Sequence, residues 1–247
     1  MGYPQTYTQT ILSGSLSGAI GYIGTLPLDY IKQHLQSAAS DRHLLYQNID
    51  RHGVKILFRG GLLGCYSIIP QMTIKFTAND LLNRNMPENG PYLNGFIAGY
   101  LDGSFLGPVL SLQSMQQMRN NYGYKESFKI LRSVPILSMT FPLALRNATY
   151  TSIMFGGNKT LGWDSTFLSA SLLNIPAVIA CSPFDVIRAN QIRNMLEGKT
   201  NNPVMVACEI YRAGGLKGFY RGFGSLYINF ALRFPVTFAI FNWLTAN

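Results

Sequence analysis

Pro27-Leu28-Asp29-Tyr30-Ile31-Lys32-Gln33-His34-Leu35-Gln36 closes a run from Met1 to Leu28 that carries no charged residue, and then sets an acid and a base three residues apart. Pro183-Phe184-Asp185-Val186-Ile187-Arg188 repeats that spacing after another long uncharged run, and Pro108-Val109-Leu110-Ser111-Leu112-Gln113 repeats it with both charges neutralised. The prolines at 27, 108 and 183 recur at intervals of about 75 to 80 residues, the signature of an internal repeat.

The composition bounds the class. Of the 247 residues 47% are hydrophobic and only 13% charged, well below the quarter usual in soluble domains, which points to a membrane protein. A net charge of +9 is compatible with nucleic acid, an anionic lipid surface or an anionic substrate, so the placement of the bases must decide. Cys65, Cys181 and Cys208 are far apart, without CxxC spacing or partner histidines; neither a disulfide framework nor a zinc site is expected, and the three read as small buried side chains. With no Arg-rich presequence in view, targeting information is expected inside the chain.

Six nearly charge-free segments of spanning length lie at about 8–28, 60–79, 92–117, 134–157, 165–187 and 222–246, each broken by glycine, serine or proline. The second to sixth contain one charge apiece, Lys75, Asp102, Arg146, Asp185 and Arg233. A charge turned toward lipid costs several kcal/mol, so these single charges are expected to face a polar interior. Gly14 with Gly18, and Gly95, Gly99, Gly103 and Gly107, leave helix faces almost without side chains, suited to close helix packing in lipid.

The bases sort by loop. Arg42, Arg51, Lys55 and Arg59, then Arg119, Lys125, Lys129 and Arg132, then Arg193, Lys199, Arg212, Lys217 and Arg221 fall between spans one and two, three and four, and five and six. The other side holds only Arg84 and Lys159, so both termini are expected on the base-poor side. A nucleic-acid reader would instead gather its bases on one soluble face, and no nucleic-acid partner is expected. Segments 42–58 and 204–219 mix apolar and charged residues and read as short helices at the membrane interface.

With these residues in hand the chain resembles the mitochondrial carrier family. The family's P-x-[DE]-x-x-[KR] signature stands at Pro27/Asp29/Lys32 and Pro183/Asp185/Arg188, and its later glycine and aromatic-base-glycine elements at Gly53 with Phe58-Arg59-Gly60 and at Gly215 with Tyr220-Arg221-Gly222. Pro70 to Phe76 and Pro235 to Phe241 match the even-helix spacing, while the middle repeat keeps only Pro142, Arg146 and Phe155 of it. The resemblance implies an all-α membrane protein: one domain over 1–247, six transmembrane helices in three pseudo-symmetric repeats at about 6–88, 89–160 and 161–247, and short interfacial helices.

It further implies a ring of inter-helix ion pairs closing the matrix side, with Lys32 facing Asp185, Asp29 facing Gln113, Arg188 facing Leu110 without a charge, and Gln36 bracing a bridge from below. An outer counterpart survives only near Asp80, which could pair with Lys159 or stand as an ordinary interfacial charge. The implied substrate positions are Ser67, Arg146, Asn147 and Arg233, with Gln71, Lys75 and Tyr150 as further contacts. Arg146 and Arg233 suit a carboxylate or phosphate held by bidentate bonds, or serve instead only to tie helices together. Gly53, Gly60, Gly215 and Gly222 are the implied lipid positions, where cardiolipin would meet helix N-termini; the alternative is that each merely begins a tight turn.

The functional expectation is therefore exchange of a small anionic metabolite, a nucleotide or a carboxylate, across the mitochondrial inner membrane by alternating access. Both termini would lie in the intermembrane space, and the chain would act as a monomer without cofactor, metal or enzymatic activity. The rival is a carrier-like scaffold or receptor that no longer transports, suggested by the degenerate middle repeat.

Overall fold

The computed structural model describes residues 7–37, 41–118, 124–161, 166–199 and 201–246. Among these residues all regular structure is helical. The long helices are α1 (Tyr7–Gln36), α3 (Gly61–Asn85), α4 (Gly90–Met118), α6 (Ile136–Thr151), α8 (Thr166–Leu196) and α10 (Phe223–Ala246), and they coincide with the six apolar segments of the sequence. A π-helical turn at Ser152–Gly156 carries α6 into α7 (Gly157–Leu161). Between the long helices lie α2 (Asp41–His52) with a 3-10 turn at Val54–Phe58, α5 (Tyr124–Arg132) and α9 (Pro203–Gly218). The interfacial readings at 42–58 and 204–219 fall on α2 with its 3-10 turn and on α9; α5 was not singled out in the sequence.

Each long helix packs on the next, α1 on α3, α3 on α4, α4 on α6, α6 on α8, α8 on α10 and α10 back on α1, which closes a ring. Inside it α1, α4 and α8 touch one another pairwise, and these helices hold Pro27, Pro108 and Pro183. A proline inside a helix removes a backbone hydrogen bond and invites a bend. Below the prolines the three helices are cross-tied: Gln33 Nε2 donates to Ser114 Oγ at 3.1 Å, Asn190 Nδ2 to the Gln36 carbonyl at 3.2 Å, and Arg188 to α4.

The tightest helix pair is α4 on α6. A Cβ on Gly95 would stand 2.8 Å from the Thr151 carbonyl oxygen, one on Gly103 2.5 Å from Ala144 Cα, and ones on Gly99 and Gly107 would overlap Asn147 and Thr140. The glycine face is therefore occupied by backbone, and Thr151 Oγ1 uses the approach to donate to the Gly95 carbonyl at 2.7 Å.

Polarity is inverted relative to a soluble bundle. On α4 Asn94, Asp102, Ser111, Gln113, Ser114, Gln116 and Gln117 are buried, while Leu62, Tyr66, Ile69, Phe105 and Leu137 stand exposed on outer faces. Polar atoms inside and large apolar groups outside suit a chain whose surroundings are lipid. Apolar clusters of Met115, Leu131, Met139, Ile192 and Met195, and of Tyr150, Met154, Val178, Leu226 and Phe230, fill the gaps between neighbouring helices. The cysteines divide, contrary to the expectation of three buried thiols: Cys181 is buried, Cys65 partly so, and Cys208 exposed, because it sits on α9 and not on one of the six long helices.

By length and composition Pro87–Met118 and Ser171–Leu196 are apolar enough to cross a bilayer. The pair Lys125–Arg132 and Ile136–Leu161, bent by 99°, would make a third. The helices α1 and α3 carry Asp29 and Lys32, and Lys75, Asp80 and Arg84, which lowers their apolar character even where the charges point inward.

Because α4 and α6 meet backbone to backbone, Gly103→Val should lower stability by about 1–3 kcal/mol or more through overpacking. Gly24→Ala, where an added Cβ meets nothing within 4 Å, should be neutral or slightly stabilising. Thermal unfolding of the purified protein in detergent micelles compares the two.

Candidate functional site

The ends of α1 and α8 carry the charges that the repeated motif supplies, and α4 brings its uncharged copy to the same place. Lys32 Nζ lies 3.7 Å from Asp185 Oδ2, with both side chains almost wholly buried. Arg188, lacking an acid on α4, donates from Nη2 to the Leu110 carbonyl at 2.8 Å and to Ser114 Oγ at 2.9 Å. A carbonyl and a hydroxyl thus stand where a carboxylate would make a second bridge.

Asp29 does not meet Gln113. Gln113 Nε2 donates instead to the Tyr22 hydroxyl, and Asp29 turns to α10, where Asn229 Nδ2 donates to its Oδ1 at 3.2 Å and Arg233 Nη2 lies 3.5 Å away. The physical reason is charge: a buried carboxylate gains more from a guanidinium than from a neutral amide. Arg233 also donates from Nε to Thr25 Oγ1 at 2.9 Å and lies over the Tyr22 ring. Gln36 does not brace the Lys32–Asp185 pair; its Nε2 has no hydrogen-bond partner, and its chain packs against Gly222.

Arg146 makes the corresponding reach from α6. Its Nε is 3.4 Å from Asp185 Oδ1, its Nη1 donates to Asn147 Oδ1 at 2.7 Å, and its guanidinium lies over Phe230. Both lone arginines of the even helices therefore turn inward and each contacts an acid of the proline motif. Neither contact is well aligned for hydrogen bonding, since Arg146 Nε and Arg233 Nη2 are buried without a hydrogen-bond partner; Asp185 Oδ2, 3.7 Å from Lys32 Nζ, is likewise without one.

A third acid joins them. Asp102 on α4 is fully buried, with Lys75 Nζ at 3.2 Å and Asn147 Nδ2 donating at 2.7 Å, both to Oδ2. Among the described residues the ring thus encloses five bases, Lys32, Lys75, Arg146, Arg188 and Arg233, and three acids, Asp29, Asp102 and Asp185, an excess of two positive charges. Asp102 and Asn229 were not among the candidate site residues. The sequence marked Asp102 as a lone charge within a span, whereas Asn229 carries no such signal.

The remaining candidates are quieter. Ser67 Oγ is buried and donates to the Gly64 carbonyl of its own helix at 2.9 Å, and Gln71 is buried beside it on α3. Tyr150 donates to Asn174 Oδ1 at 3.2 Å and packs in the core. Asp80 pairs with Arg84 on its own helix at 3.0 Å, while Lys159 reaches Asn83 Oδ1 at 3.4 Å, so the Asp80–Lys159 pair is not formed. Among the described residues no group of three His, Cys, Asp or Glu side chains could hold a metal ion.

Gly60 and Gly222 begin α3 and α10 with φ of 76° and 70°, a left-handed turn that favours glycine. Space demands glycine there too, because a Cβ would meet the Gln113 carbonyl oxygen at 3.1 Å or Gln36 Cγ at 3.0 Å. The starts of α3 and α10 are thereby clamped to the ends of α4 and α1. Gly53 and Gly215 also have positive φ, but an added Cβ there meets nothing within 4 Å.

The family described as mitochondrial carrier protein matches residues 3–90 and 159–246, leaving the degenerate middle repeat unmatched, and the chain belongs to that family. The mitochondrial aspartate-glutamate transporter AGC1 of Saccharomyces cerevisiae is 23% identical over 274 residues, covering 92% of this chain and 30% of the relative. The human electrogenic aspartate/glutamate antiporter SLC25A13 is 24% identical over 272 residues, covering 94% of this chain and 40% of the relative. The glutamate/glycine mitochondrial carrier ymc1 of Schizosaccharomyces pombe is 23% identical over 282 residues, covering 97% of this chain and 94% of the relative. The chain thus spans less than half the length of the two aspartate/glutamate relatives.

The Lys32–Asp185 pair is a desolvated one, so removing one partner should cost more than replacing both. Lys32→Met or Asp185→Leu alone should lower stability by about 3–5 kcal/mol, and the double replacement by less than the sum. Thermal unfolding of the three variants in micelles tests this; strict additivity would mean that the two side chains are not coupled.

Proposed function

We propose that this chain carries a small anionic metabolite across the mitochondrial inner membrane by alternating access, as an exchanger and as a single six-span bundle. The observation that carries the reading is the excess of two positive charges enclosed by the helix ring. Unmatched charge in a desolvated interior is costly, and a transient anionic ligand would relieve that cost.

Arg146 and Arg233 are the proposed substrate-binding groups, and Asp29, Lys32, Asp185 and Arg188 the gate. Each arginine holds a gate acid in the present conformation, so a carboxylate arriving from the far side competes for it with a group of the same chemistry. Exchange of one carboxylate for another on a guanidinium is close to isoenergetic, which lets modest binding energy release the gate. Asp29 would then keep only Asn229, and Asp185 only Lys32. The mechanism replaces the motif's missing pairs at Leu110 and Gln113 with bridges that substrate can break directly.

A carboxylate is favoured over a nucleotide as cargo because the relatives' names speak of aspartate, glutamate and glycine. Ser67, Gln71, Lys75 and Asn147 would line the path beside the arginines. Orientation follows the loop bases, with α2, α5 and α9 on the matrix side and both termini in the intermembrane space. Gly53, Gly60, Gly215 and Gly222 would receive cardiolipin phosphates at helix starts.

Purified protein in liposomes should take up labelled dicarboxylates or acidic amino acids above the empty-vesicle rate, and Arg146→Ala and Arg233→Ala should each reduce uptake at least ten-fold. Uptake indifferent to both changes would favour a scaffold role. Added cardiolipin should raise the thermal transition of the micellar protein where a neutral lipid does not, and Gly60→Ala should weaken that shift.

A further inference from the structure

Asp102 stands apart from the gate acids. It lies on α4 beside the glycine face, fully buried, at the junction of α3, α4 and α6. Both of its contacts, Lys75 Nζ at 3.2 Å and Asn147 Nδ2 at 2.7 Å, fall on Oδ2, and Oδ1 accepts no hydrogen bond. Asn147 in turn accepts from Arg146 Nη1 at 2.7 Å, so this acid is one residue removed from the guanidinium to which the substrate carboxylate was assigned. Acid, amide and guanidinium together make a short line of alternating charge, negative at Asp102 and positive at Arg146.

We propose that Asp102 is the specificity-determining acid for a free ammonium on the substrate, and that Lys75 occupies its place when substrate is absent. The inference rests on the transport reading above and deepens it to cargo carrying both an amine and a carboxylate. Lys75 is the right stand-in: a primary ammonium on a flexible stem, with a side chain that is 15% exposed while Asp102 is wholly hidden. When a zwitterion enters, its ammonium takes Asp102, its carboxylate takes Arg146, and Lys75 swings out to a second carboxylate or to water. Charge balance at Asp102 is kept throughout. A diacid without an amine would draw Lys75 away and leave a buried carboxylate without a counter-charge, so the site discriminates against it.

The test is uptake into liposomes of matched solutes that differ only by the amine: glutamate against glutarate, and aspartate against succinate. The intact protein should prefer the amine-bearing member at least ten-fold. Asp102→Asn should erase that preference from both sides, lowering glutamate and aspartate uptake and raising glutarate and succinate uptake, because the diacid no longer strands a buried charge. Lys75→Gln, which vacates the carboxylate, should enlarge the thermal shift given by glutamate relative to glutarate in micelles. The inference is overturned if the intact protein takes both members equally, if folded Asp102→Asn loses both members in equal measure, or if Lys75→Gln weakens both thermal shifts alike, since a plain helix tie would behave so. Failure of every solute to enter would instead overturn the transport reading itself, and the two failures are thus distinguishable.

Discussion

A buried charge is costly unless another meets it, and among the described residues enclosed by this bundle the bases outnumber the acids. Asp185 is approached by Lys32 from α1 and by Arg146 from α6, and Asp29 by Arg233 from α10, so each acid of the proline motif contacts an arginine of α6 or α10. Asp185 is thus shared between Lys32 and Arg146. Among the described residues no further buried acid neutralises the last two positive charges, and that imbalance is what an anion would answer.

The rest of the architecture serves to bring those groups together. The prolines sit in the three helices that meet pairwise, and the charged motifs of α1 and α8 follow in the turns just beyond. Glycines set the spacing of the outer pairs: with backbone against backbone between α4 and α6, Asn147 reaches Asp102 directly. The glycines at 60 and 222 clamp the starts of α3 and α10 to the ends of α4 and α1. The apolar side chains left outside are those that lipid would cover.

Much of this could be read in the sequence, because period and charge are properties of the chain. The six long helices and the packing face of α4 follow from spacing, and the Lys32–Asp185 contact from the family resemblance that the repeated motif carries. The partners of Asp29 did not follow. Arg233 lies some 200 residues away, and Asn229 beside it is a neutral amide with no pattern to mark it. A degenerate motif also hides its substitute: the sequence shows Leu110 and Gln113 without charge, but not that a carbonyl accepts from Arg188 or that Tyr22 takes the Gln113 amide. Asp102 was visible as a lone charge, yet its lysine partner sits on a different helix, and lone charges do not declare their neighbours.

The central claim is that an anion frees the inner gate by taking Arg146 and Arg233 from their acids. Tyr46, Phe128 and Tyr211 are exposed on α2, α5 and α9, the helices that follow the three motif helices. Spin labels on cysteines placed at these positions, with Cys65 and Cys208 replaced by serine, would report the separation of the three inner ends by pulsed electron paramagnetic resonance. The account predicts that saturating transported anion lengthens all three distances together and that the change vanishes when both arginines are alanine. Distances that stay fixed in the intact protein, or that lengthen equally without the arginines, would contradict it.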